Sequence, residues 1–157
     1  MKRGDYMIHV LVESAKNIKY NGVCDPIVEI SVLGKKEFTT AQKGINNMSV
    51  AEWNEHIFYE FKNQETSQLE AGKIEIKLKD QGIFKDALIG YYEFDLNYIY
   101  LMPNHALMHK WIVMSNPESE NFGEVTGYLK LSITVAGVDD EMVAIEDDPH
   151  PEKESII

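Results

Sequence analysis

With 157 residues, 44% of them hydrophobic and 26% charged, the chain has the size and composition of one globular domain with a single core. No apolar run nears the ~18–20 residues that cross a bilayer. The N-terminal stretch MKRGDYMIHVLVESAK lacks the apolar core and cleavage site of a signal peptide, and one cysteine, Cys24, permits no internal disulfide, so the expected compartment is the cytosol. The net charge of −11 argues against constitutive nucleic-acid binding and against permanent attachment to an anionic membrane without a bridging cation. That charge is uneven: eight of the 26 acids but one of the 15 bases lie beyond Ala136, so the end of the chain carries −7 and the body −4.

Alternation of apolar and polar residues dominates, and helical periodicity is scarce. In chain order, strands are predicted at 6–13 (Ile8, Val10 and Val12 inward), 26–34, 36–42, 52–61 and 73–80. The last of these is the cleanest, with Ile74, Ile76 and Leu78 on one face and Lys73, Glu75, Lys77 and Lys79 on the other. Further strands are predicted at 87–96, 109–114 and 127–137. Turn signals at Asn21-Gly22, Gly34, Gly44, Asn46-Asn47, Gly82, Pro103-Asn104, Asn116-Pro117 and Gly123 separate them. Leu96, Ile99 and Tyr100 are spaced for a single helical turn. Eight short strands joined by such turns predict an all-β, eight-stranded antiparallel sandwich over residues 1–138. Residues 139–157, acidic and without alternation, are expected to form a mobile tail or a linker.

Three motifs fall in a telling order: Asp25-Pro26 with Val28, then Trp53-Asn54-Glu55, then Asp80 and Asp86 with Ile89-Gly90. In this order they resemble a C2 domain. The segments PNHALMHKWIVMSNPE (103–118) and GYLKLSITVAGVDDE (127–141) are similar to the second C2 domain of ferlins, and the resemblance covers roughly residues 6–141. It implies a β-sandwich whose loops at one end bind calcium, acidic lipid or a protein partner. Complete ferlins are far longer and end in a transmembrane helix, so the expectation is a stand-alone relative or a piece of a longer chain.

The resemblance also implies a calcium site built from two acids of the first loop and three of the third. Asp25 matches the second acid of the first loop, while the first falls in a shortened loop that offers Tyr20 and Asn21. Asp80 and Asp86 match the outer acids of the third loop, and Gly82 stands at the middle one. Calcium takes six to eight oxygen ligands, several of them anionic, so Asp25, Asp80 and Asp86 form an incomplete, weak set. The alternative is that these aspartates organise the loop backbone through local hydrogen bonds.

Ile83 and Phe84 beside Lys85 make an apolar tip suited to shallow insertion among headgroups, and Tyr20 and Val23 are candidates to join them. Alternatively Phe84 covers the end of the sandwich or meets a protein. Lys73, Lys77 and Lys79, with Lys35 and Lys36 nearby, read as a solvated strand face interrupted by Glu75. His105 and His109 lack a third zinc ligand, Cys24 lacks a basic neighbour, and no phosphate loop or nucleophile elbow is present, so an enzyme is not expected. Calcium is the one candidate cofactor. The expected partners are a phospholipid membrane surface or a protein, with no nucleic acid and no small-molecule substrate. Two functions follow: a ferlin-like module on a membrane, or a scaffold of the same fold in a cytoskeletal or ciliary assembly.

Overall fold

Inward-facing apolar residues at every second position mark the clearest strands, such as residues 73–80, while residues 26–32 are buried throughout and residues 35–38 carry no buried residue. The computed structural model describes every residue except Phe122. It contains β1 (Gly4–Lys16), β2 (Pro26–Val32), β3 (Lys35–Phe38), β4 (Ala51–Gln64), α1 (Thr66–Ala71), β5 (Lys73–Asp80), β6 (Ala87–Asp95), α2 (Leu96–Tyr100), β7 (Ala106–Ser115) and β8 (Val125–Ala136). Each of the eight predicted strands is present, as is the helical turn at Leu96. In β5 the period is plain: Ile74, Ile76 and Leu78 are fully buried, and the residues between and beside them are not.

The strands follow one hydrogen-bonded path, β3-β2-β5-β6-β7-β8-β1-β4, all of it antiparallel. Between β6 and β7 the ladder shrinks to a single pair, Tyr91 with Ser115. That seam divides the path into two four-stranded layers, β3-β2-β5-β6 and β7-β8-β1-β4. Val10 and Val12 of β1, Val28 and Ile30 of β2, and Ile76 and Leu131 from the other inner strands share one core between them. A polar tie crosses that core: buried Tyr59 of β4 donates its hydroxyl to the carbonyl of Ile30 in β2 at 2.7 Å. Buried hydroxyls need such a partner, and this one fixes the spacing of the layers.

Antiparallel order sends the β1–β2 loop (17–25), the β3–β4 loop (39–50), the β5–β6 loop (81–86) and the β7–β8 loop (116–124) to one rim. Backbone bonds knit the rim: Cys24 bridges Ile45, Gln81 N–H donates to Asp25 O at 2.9 Å, and Lys19 N–H donates to Thr126 O at 2.8 Å. The helices lie at the other end. One of them, α1, is not expected from the sequence, because Leu69 is its single buried residue and one residue makes no period.

The acidic end of the chain, residues 139–157, makes contacts with the strands. Ile145 is buried, Asp148 pairs with Lys130, and Ile156 lies parallel to Trp111 of β7. Lysines from three strands hold this segment, and no local sequence pattern announces such contacts. The ring of His105 stacks on Tyr100 at 4.0 Å and its Nε2 lies 3.5 Å from Asp140.

Candidate binding rim

The register of β2 against β5 sets Pro26 opposite Asp80, and so brings Asp25 and Asp80 together at the rim. Each oxygen of Asp80 accepts one local donor. Its Oδ1 accepts the backbone N–H of Asp25 at 2.8 Å, and its Oδ2 accepts the hydroxyl of Tyr20 at 2.6 Å. Asp25 in turn accepts the N–H of Gly44 at 2.8 Å, with Lys43 Nζ 3.9 Å from its other oxygen. Lys43 also donates to Gln81 Oε1 at 3.1 Å. The pair of aspartates therefore ties three loops to one another. The buried Cys24 thiol has its pKa pushed up to about 11, first by burial and then by the Asp80 and Asp25 charges.

Asp86 serves a different purpose. Its Oδ1 accepts the N–H of Gly82 at 3.2 Å and closes the β5–β6 loop on itself. That closure is tight: a Cβ on Gly82 would stand 2.1 Å from the carbonyl oxygen of Lys85. The position at which the C2 resemblance implies a further acid is thus one that admits no side chain in this loop conformation. Among the described residues, no group of three or more His, Cys, Asp or Glu side chains comes close enough to share a metal ion. Asp25 and Asp80 meet, Asp86 does not complete the group, and calcium finds a two-carboxylate set already occupied by backbone and hydroxyl donors. The donor set does not fit a firm calcium site.

The apolar tips are the outstanding feature of the rim. Ile83 is 96% exposed and Phe84 100%, beside Met48 at 89% and Val23 at 59%. Tyr20 is partly exposed and leans on Asp80. Thus the β1–β2, β3–β4 and β5–β6 loops each offer a bare hydrophobic side chain at the same end. Met48 and Lys43 are the rim residues that sequence reasoning passes over. The Asn46-Asn47 turn flags their loop, but nothing in single-sequence pattern distinguishes an apolar tip from a core residue. Lys85 has no ion pair among the described residues.

The lysine row on β5 is neutralised where it stands. Lys79 and Lys77 lie 3.1 and 3.8 Å from the buried carboxylate of Glu29, and Lys73 lies 2.9 Å from Asp95 and 3.5 Å from Glu93. No helix among the described residues is long and apolar enough to cross a membrane.

Comparison with known proteins places these features. Myoferlin of Xenopus tropicalis is 31% identical over 141 residues, which cover 89% of this chain and 7% of that protein. Human myoferlin is 30% identical over 141 residues, covering 89% of this chain and 6% of its own length. Among solved structures, a C2 domain of plant extended synaptotagmin 1 superposes with a TM-score of 0.62 at 17% identity, over 82% of this chain and 92% of that one. The calcium-bound pair of C2 domains of extended synaptotagmin 2 gives 0.64 at 16% identity, over 85% of this chain and 43% of that one. The family model for the C2 domain matches residues 6–114, and the chain belongs to the C2 domain family.

Proposed function

We propose that the chain is a non-enzymatic module that docks on a phospholipid membrane through its loop rim and does so without requiring calcium. One observation carries this reading: three separate loops present Val23, Met48, Ile83 and Phe84 to solvent at a single end of the sandwich. Isolated exposed apolar residues are common on soluble proteins, but several converging at one rim mark a contact surface. Full burial of a large aliphatic or aromatic side chain is worth about 1.5–3 kcal/mol. Ile83 and Phe84, with Met48 of the β3–β4 loop, therefore supply a reversible, shallow anchor. Lys85 flanks the tips, and a lysine near an anionic surface adds about 1 kcal/mol.

Calcium plays at most a weak part, because the Asp25 and Asp80 oxygens are committed to donors within the loops. The likeness to myoferlin supports the membrane reading, and the module would then sit at the cytoplasmic face of a membrane as a peripheral protein. Sedimentation with phosphatidylserine-containing vesicles tests it. The chain is expected to co-sediment equally with calcium and with chelator. Failure to sediment in both conditions hands the rim to a protein partner, as in a cytoskeletal or ciliary scaffold.

A further inference from the structure

The seam between the two layers leaves one edge of β7 open, since β7 meets β6 at Ser115 alone. The chain fills that edge with its own end. Trp111 N–H donates to Ser155 O at 2.8 Å, Ile157 N–H donates to Trp111 O at 3.0 Å, and Ile156 runs parallel to Trp111. Side chains follow the same logic. Lys16 pairs with Glu154 and lies 4.5 Å above the Trp111 ring. Lys110 donates to Ser155 Oγ at 2.6 Å, and Lys130 meets Asp148 at 2.6 Å, both partners of that pair being largely buried. Ile145 is buried as well. A strand-pairing edge flanked by Lys16, Lys110 and Lys130 is thereby closed by an acidic segment whose one buried aliphatic residue is Ile145, while the Glu13 carboxylate, which lines the same face as Lys130, is held by His109 and Ser132.

We propose that this groove on β1, β7 and β8 is a docking site for an acidic extended peptide, and that residues 145–157 hold it shut from within the same chain. A partner would add a short strand to the Trp111 edge, place carboxylates on Lys16 and Lys130, and set an aliphatic residue where Ile145 is buried. Charge complementarity and the seated segment itself define this chemistry. The groove is separate from the loop rim, so it stands whether or not the rim binds lipid. A tethered segment competes at an effective concentration in the millimolar range, so a free peptide enters only when the segment is weakened.

The test uses the full chain carrying Asp148→Asn, Glu154→Gln and Ile145→Ser, with a fluorescein-labelled peptide of native residues 142–157 as probe. Fluorescence anisotropy is expected to show at least a tenfold gain in apparent affinity over the unaltered chain. That gain should shrink as salt rises from ~0.05 to ~0.5 M. A peptide carrying Asp148→Lys and Glu154→Lys should fail to bind. Equal affinity of altered and unaltered chains overturns the proposal, as does equal binding of the charge-reversed peptide. So does uptake of anionic vesicles, but not peptide, by the altered chain. Should the altered chain not fold, amide exchange on the unaltered chain decides: the Ile157 N–H is expected to exchange at least threefold faster at high salt, and an unchanged rate overturns the proposal.

Discussion

Asp80 Oδ1 lies 2.8 Å from the backbone nitrogen of Asp25, so one carboxylate of the implied calcium pair is spent on holding the other in place. With Tyr20 on its second oxygen, Asp80 acts as a buckle between the β1–β2 loop and the end of β5. Asp80→Ala is therefore expected to cost about 1–3 kcal/mol of stability, the value of hydrogen bonds to a charged group. Urea denaturation measures it. The loss should be the same with calcium and with chelator. A loss that appears only in calcium would mean that the carboxylate serves a cation after all.

Gly82→Asp restores, on paper, the acid that the C2 pattern implies. The added Cβ would collide with the Lys85 carbonyl, so the β5–β6 loop has to open before the carboxylate finds room. Opening breaks the Asp86–Gly82 bond that shapes the loop. The expected outcome is lower stability and no gain of calcium heat in titration calorimetry at millimolar ion. A calorimetric signal with unaltered stability would show that the loop readily takes another form.

Ile83→Ser with Phe84→Ser separates binding from folding. Both side chains are almost wholly exposed, so their removal leaves stability within about 0.5 kcal/mol. Burial of the pair in a headgroup region is worth about 3–6 kcal/mol, and its loss lowers vesicle affinity by at least a hundredfold. Vesicle sedimentation and a parallel heat melt read the two quantities. Undiminished sedimentation would place the membrane contact elsewhere.

Much of this architecture is legible from alternation, because a two-layer core imposes a period of two on strands with one covered face, such as β5, though not on β2, which is buried throughout, or on β3, which has no buried residue. Ile74, Ile76 and Leu78 announce β5 without any knowledge of their neighbours. Helix α1 is silent because Leu69 alone turns inward. Asp25 and Asp80 are found through the C2 resemblance, and their convergence depends on the Pro26–Asp80 register, which a single sequence does not display. Their mutual hydrogen bonding, and the contrary role of Asp86, depend on loop geometry within a few residues of Gly82. The end of the chain is least legible: its attachment rests on Lys16, Lys110 and Lys130, which lie far from it in sequence and follow no period.

His9 predicts how stability responds to acid. It is buried on β1, stacked on Phe58 at 4.1 Å, with its Nε2 2.8 Å from His56 Nδ1. Burial first, and then the neighbouring His56, lower its pKa from the ordinary 6.5 to about 4. A histidine whose folded value is depressed remains neutral in the native state while the unfolded chain takes up its proton. The stability it contributes is thus fully present above the unfolded value of 6.5 and is lost as pH falls toward the folded value of about 4. The loss across that window amounts to a few kcal/mol, at about 1.36 kcal/mol for each unit of difference. His9→Leu keeps an apolar side chain against Phe58 and removes the titration. Urea midpoints at about pH 7 and about pH 4.5 should therefore differ less in the variant than in the unaltered chain. An identical acid-side loss in both would assign the effect to other groups.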